Sequence, residues 1–229
     1  MPPTAVVPYP AFMPFILTRS AARCIDTEAQ SRHGFSGLEL MERAARGAVE
    51  VARTMAQPGD RVLVACGRGS NGGDGWAMAR LLHHLGYIVD IVSIGQPPAG
   101  SDAAANAELA HALALNHRPF EHGLPDADLI IDAVFGTGLN RMLTGMALHL
   151  IGAINAHPAP VLAIDLPSGL DVDSGHALGD AVQAAATATC IGPKAGFAAP
   201  AAQKSIGAVH IIDLGVPDEL IRRHAVEID

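Results

Sequence analysis

Aromatic side chains make up only 4% of this 229-residue chain, with a single Trp. The interior is left to Ala, Val, Ile and Leu, the composition of helices packed on a parallel sheet rather than of an aromatic-rich β-sandwich. Cysteine is equally scarce. Cys24, Cys66 and Cys190 are odd in number and far apart, which excludes a disulfide framework and suits a reducing, cytoplasmic compartment. Cys66 and Cys190 end apolar runs, where small buried hydrophobes are commoner than nucleophiles. Positive charge is in deficit: 15 Lys and Arg against 23 Asp and Glu give a formal charge of −8. Counterion release has little to work with, so no nucleic-acid partner is expected. No apolar run approaches the ~18 residues that span a bilayer. The stretch from Met1 to Leu17 carries five prolines and no basic region, so it reads as a loose N-terminal arm and not as a signal peptide. Zinc spacing is missing as well, since only His83 and His84 of the 11 histidines are adjacent.

What is present is rhythm. Thr18 opens a helical pattern, and Ser36-Gly-Leu-Glu39 is a capping box for a second helix with Leu38, Met41, Ala45, Ala48 and Ala52 at helical spacing. Gln57-Pro-Gly-Asp60 stops that helix, and Arg61 to Cys66 reads as a buried parallel strand. Strands are then expected at 88–94, 128–134, 160–164, 187–191 and 208–212, with helices at 73–85, 102–115, 145–156 and 218–224 between and after them. Alternation of this kind specifies βαβ units. The expected fold is α/β, a Rossmann-like three-layer αβα sandwich with an open, mostly parallel sheet and two extra N-terminal helices. No repeat or linker divides residues 18–229, so they are read as one domain after an arm at 1–17.

Open parallel sheets bind ligands beyond the carboxyl ends of their strands. The first strand delivers Gly67-Arg-Gly-Ser-Asn-Gly-Gly-Asp-Gly75 there, the third Asp132 and then Gly136 to Met142, the fourth Asp165-Leu-Pro-Ser168-Gly169, the fifth Gly192 to Gly196. Gly67, Gly69 and Gly72 fit G-x-G-x-x-G, with Asp90 further on, which is also what a dehydrogenase or a plain glycine turn would show. Backbone amides at a helix start hold phosphate without a basic patch. Asp132 and Asp165 end apolar strands, where a carboxylate is costly unless it meets a cation, a donor or the ligand. Asn71, Asp132 and Ser168 offer amide, carboxylate and hydroxyl oxygens, a hard set suited to an alkali or alkaline-earth ion and not to zinc. Asp74 reads equally well as a helix cap, and Lys194 as a phosphate contact or a solvated side chain. A phosphoryl transferase is disfavoured, because no Gly-Lys-Ser/Thr follows the glycine loop.

Three strings taken together, Gly69 to Gly75, Ile131 to Arg141 and Ala163 to Gly169, resemble in order and spacing the N-terminal domain of the YjeF family, the NAD(P)H-hydrate epimerases. Leu40-Met-Glu-Arg-Ala44 and the stretch from Thr189 to Gly196 are similar to further segments of that family. The resemblance implies an isomerase that interconverts the R and S forms of hydrated NADH or NADPH. It places the substrate on Ser70, Asn71, Gly72, Gly73 and Asp74, on Gly136, Thr137, Gly138, Leu139, Asn140, Arg141 and Met142, and on Asp165. It implies a potassium ion on Asn71, Asp132 and Ser168, with Asp165 as the catalytic group. A dehydratase specific for hydrated NAD(P)H would be the functional partner, and a homodimer is left open. Ser70 stands where the family usually has Asn, and Ala45 where it has Gly, so altered hydrogen bonding to the ligand is expected. The competing readings are a non-catalytic nucleotide- or protein-binding module on the same fold and an NAD-dependent dehydrogenase.

Overall fold

The computed structural model describes residues 6–8 and 14–228. In chain order these form β1 (Val6–Pro8), β2 (Phe15–Ile16), α1 (Arg19–Arg32), α2 (Gly37–Ala52), β3 (Arg61–Cys66), α3 (Ser70–His84) and β4 (Ile88–Ser93). Then follow α4 (Asp102–Ala112), β5 (Asn116–Pro119), β6 (Leu129–Ala133), α5 (Gly145–Ala156) and β7 (Val161–Ile164). The chain closes with β8 (Ala186–Cys190), α6 (Gln203–Ile206), β9 (Ala208–Ile212), α7 (Asp218–His224) and β10 (Val226–Glu227).

Local chemistry explains the boundaries. Thr18 caps α1 by accepting from the Ala21 amide, and Ser36 caps α2 by accepting from the Glu39 amide. Only half of the expected capping box forms. Glu39 turns instead to Arg43 one helical turn on, at 2.8 Å, where a guanidinium offers a charge-assisted bond. Along α2, Met41, Ala45, Ala48 and Ala52 are buried as their spacing requires, whereas Leu38 in the first turn is exposed.

The main sheet runs β1-β9-β8-β7-β6-β3-β4-β5, parallel throughout except for β1 against β9. Strand β5 was not legible from the sequence, because Asn116-His-Arg-Pro119 has no apolar run. It lies on the sheet edge and is mostly exposed, where proline and polar residues are tolerated. The six strands expected from the sequence match their places to within about a residue, whereas β1, β2 and β10 had not been expected.

Part of the N-terminal stretch is docked. Val6–Pro8 pairs with Ile212 to His210. Leu17 is fully buried, donating its amide to Pro193 O (2.8 Å) and accepting from the Ala195 amide (2.9 Å). Residues 1–5 and 9–13 of the expected loose arm lie outside the described residues.

Two apolar layers sandwich the sheet. Val62, Val64, Ile131, Leu162 and Ile164 pack with residues of α1, α2, α3 and α7. Leu63, Ala65, Ile130 and Ala163 pack with Leu150, Ile151 and Ile154 of α5. The chain leaves β3 toward β4 on one side and β6 toward β7 on the other, so strand order reverses between β3 and β6. That switch point opens a crevice at the carboxyl ends. Among the described residues, no helix is long and apolar enough to cross a membrane.

Candidate active site

The turn after β3 is tighter than a generic glycine loop. A Cβ on Gly67 would stand 1.9 Å from Val134 O, and one on Gly72 1.9 Å from Gly67 O. The backbone therefore crosses the switch point at van der Waals distance. Helix α3 begins at Ser70, three residues before the apolar pattern announces it, with Gly69 as a cap that offers no side chain. Gly73 is the first amide to find an intrahelical acceptor, Gly69 O at 3.0 Å, so the amides of Ser70, Asn71 and Gly72 remain for an anion. Gly72→Ala is expected to destabilise the fold by about 3 kcal/mol or more, because rigid backbone blocks the added carbon; chemical denaturation would measure it. Asp74 is the fifth residue of α3 and so is not its cap. Asp90 lies inside β4 and its carboxylate receives the Asn116 amide of β5. It is thereby engaged away from the place a ribose partner would occupy.

Across the switch point, Asp132 sits on β6 between Ala65 of β3 and Ala163 of β7, fully buried. Its Oδ2 accepts from the Ser168 amide (2.8 Å), and its Oδ1 from the Ser168 hydroxyl (2.6 Å) and the Val134 amide (3.3 Å). The Phe135 amide in turn donates to Ser168 Oγ at 2.7 Å. Burial pushes the Asp132 carboxyl up to about 6, against the pull of the Ser168 and Val134 donors. No cationic side chain pairs with it among the described residues. Asn71 projects into the same region: a Cβ on Gly136 would lie 3.3 Å from Asn71 Cγ. Both polar atoms of the Asn71 amide are buried without a hydrogen-bond partner among the described residues. A buried carboxylate lacking a counter-ion and the orphaned Asn71 amide oxygen fit a hard cation, which would supply the missing charge and ligand. Asp132 and Ser168 are thus bonded to each other, and Asn71 lies against Gly136 at the start of the neighbouring turn.

The third group is built around Asp165. It follows β7 with φ +63°, and Ile191, which follows β8, has φ +70°. Non-glycine residues hold such backbone only where the surroundings fix it, at about 1–3 kcal/mol each. The Asp165 amide is fixed by Ala188 O at 2.7 Å. Its Oδ1 accepts from Lys194 Nζ at 2.8 Å and from the Cys190 amide at 3.3 Å. Lys194 is 2% exposed and also donates to Cys190 O and Gly192 O at 2.9 and 3.3 Å. All three ammonium protons are used inside the protein. The solvated or phosphate-touching lysine of the sequence reading is therefore replaced by a buried counter-ion. Asp165 Oδ2 has no hydrogen bond among the described residues.

Two further carboxyls act on this group. Asp74 is held well above the usual carboxylate range by desolvation, then by the charges of Asp165 and Asp26. Asp26, on α1, stands at the exposed rim. The protein packed around it and then Asp165 raise its carboxyl, while Lys194 opposes them. No motif pointed to Asp26. Its α1 neighbours Ile25 and Ala29 marked only a helix, and its place beside the site depends on how that helix packs.

The segment from Gly136 to Met142 borders the crevice. Gly138, Asn140, Arg141 and Met142 are exposed, Gly136 and Thr137 are partly covered, and Leu139 is the buried anchor. Leu139 donates its amide to Gly136 O at 3.2 Å, and Leu143 to Leu178 O at 2.8 Å.

A family model described as YjeF-related protein N-terminus matches residues 37–196, from α2 through the Lys194 loop. The chain belongs to this family. Among YjeF-related relatives, a protein of Rhodopirellula baltica named NAD(P)H-hydrate epimerase is 36% identical over 216 residues, 92% of this chain and 88% of that one. One of the same name from Limosilactobacillus fermentum is 36% identical over 198 residues, 86% of this chain and 95% of its own. A protein of Pyrobaculum aerophilum named bifunctional NAD(P)H-hydrate repair enzyme Nnr is 36% identical over 195 residues, covering 81% of this chain but 39% of that one. The crystal structure of the yeast protein ynu0 superposes with TM-score 0.75 at 22% identity, over 93% and 94% of the two chains, and shows the shared YjeF-type fold. The three converging groups lie within the YjeF-related match, whereas α1 with Asp26 precedes it.

Proposed function

We propose that the chain is an NAD(P)H-hydrate epimerase, interconverting the R and S forms of hydrated NADH and NADPH. The observation that carries this reading is the Asp165 carboxylate. One oxygen is fastened to a buried lysine and the other is left without a partner, beside a helix start whose free amides suit a phosphate. The names of relatives at 36% identity over most of the chain support the same substrate.

Epimerising the hydroxyl-bearing ring carbon requires the hydroxyl to leave and return on the other face, or the ring to open and reclose; either route needs an acid and a base at one carbon. In the first route Asp74, whose carboxyl is held well above the usual carboxylate range by desolvation and by the charges of Asp165 and Asp26, protonates the departing hydroxyl, which leaves as water. Asp165 Oδ2 stands against the cationic ring that results. Water adds back from the opposite face and its proton returns to Asp74, so atoms and charge balance and no redox step occurs. Ser70, Asn71 and Gly72 hold phosphate through their free amides, and the Gly136 to Met142 segment covers the nucleotide. Asn71, Asp132 and Ser168 would hold a potassium ion, which would supply positive charge to a site that binds an anionic ligand. The engagement of Asp90 with Asn116 weighs against a dehydrogenase.

The test uses an enzymically prepared mixture of epimers, with a dehydratase that consumes only the S form. Addition of the protein should accelerate disappearance of the R epimer on chromatography. An unchanged R peak would remove the enzyme reading and leave the binding module. A dehydratase of this kind, acting in the same compartment, is the functional partner the reading entails, and a cytoplasmic location fits the free cysteines.

A further inference from the structure

Arg19 opens α1 and lies ahead of the family match. Its Nη1 donates to both Thr137 O and Leu139 O, the carbonyls in the middle of the Gly136 to Met142 segment. Its Nη2 donates to Asp171 Oδ2 at 2.6 Å, and its own amide donates to Asp173 Oδ1 at 2.8 Å. Asp171 is held in turn, its Oδ1 accepting from the Ser174 amide and hydroxyl at 2.8 Å each and from the Asp173 amide at 3.2 Å. Both terminal nitrogens of the guanidinium are thus engaged, one on two carbonyls and the other on a carboxylate, with Nε 3.6 Å from Asp173 Oδ2, a geometry an ammonium cannot copy. The segment it grips has few other ties, the Gly136–Leu139 turn and the Leu143–Leu178 bond.

Two residues earlier, Leu17 bonds through its backbone to Pro193 and Ala195, on either side of Lys194. Leu17 and Arg19 therefore tie the loop carrying the counter-ion of Asp165 to the loop expected to cover the substrate. We propose that Arg19 is a positioning residue for the substrate: by clamping Thr137 and Leu139 it fixes Asn140, Arg141 and Met142 over the bound nucleotide. The proposal rests on the epimerase reading in that it assigns this segment to the substrate.

Arg19→Met and Arg19→Lys would be compared with the parent protein in two measurements. In the dehydratase-coupled assay, Arg19→Met should raise KM for the R epimer by about 10- to 100-fold, the worth of a charge-assisted clamp, with kcat within about threefold. Arg19→Lys, which reaches only one acceptor, should fall between. By hydrogen exchange, the amides of 137–142 should exchange faster in Arg19→Met than in the parent while those of β3 and β6 do not change. Unaltered KM, or a fall confined to kcat, would overturn the clamp. So would unaltered exchange over 137–142, a result obtained without any turnover. If the parent itself fails to epimerise, the functional reading falls while the exchange data still decide the clamp. If Arg19→Met does not fold, Arg19→Lys supplies both readouts.

Discussion

Asp165→Asn should lower epimer interconversion by about 10²- to 10⁴-fold, the range that a positioned acid-base group contributes, and leave nucleotide binding largely intact. The amide keeps an oxygen where Oδ1 accepts from Lys194 and Cys190, so the left-handed turn after β7 has the same partners. What disappears is the negative charge beside the ring and the counter-charge to a lysine that is 2% exposed. A buried ammonium without a carboxylate costs stability, here about 1–3 kcal/mol because Cys190 O and Gly192 O still accept from it. Turnover and thermal unfolding should be measured on the same preparation. A folded Asp165→Asn protein with unchanged turnover would refute the assignment of the catalytic group.

Asp132→Ala should destabilise the fold by about 3 kcal/mol or more, since it strips acceptors from the Ser168 amide, the Ser168 hydroxyl and the Val134 amide in a fully buried place. It should also erase the response to potassium. For the parent protein the melting temperature is expected to rise with potassium chloride more than with equal choline chloride, because an ion that binds only the folded state stabilises it by mass action. Asp132→Asn, which retains an acceptor and loses the charge, separates the two effects: it should fold more stably than Asp132→Ala and still lack the potassium response. A variant that responds to potassium like the parent would place the ion elsewhere.

The sheet was readable because each buried parallel strand is a short apolar run between turn residues, and RVLVAC or VLAI can be little else. The glycine turn, Asp132, Asp165 and Ser168 were readable because polar residues at the ends of such runs stand out. The missed features depend on contacts distant in sequence. Lys194 looks like any surface lysine until the Asp165 carboxylate, 29 residues earlier in the numbering, is brought against it. Arg19 and Asp26 belong to a helix whose periodicity announces only that Ile25 and Ala29 are buried. β5 escaped because an edge strand need not be apolar. Glu39 shows the converse, a local motif that was legible and then half replaced by a neighbouring arginine.

The strap formed by Leu17 and Arg19 bears on the order in which the molecule comes together. Leu17 meets Pro193, Arg19 meets Asp171 across 152 positions, and Glu28 meets His224 across 196. Contacts of such high contact order carry a loop-closure cost and form late. α1 precedes these partners in the chain and cannot be seated until β8 and the Lys194 loop have been made. The Asp165–Lys194 pair and the contacts of Arg19 are therefore completed only after the sheet that supports them.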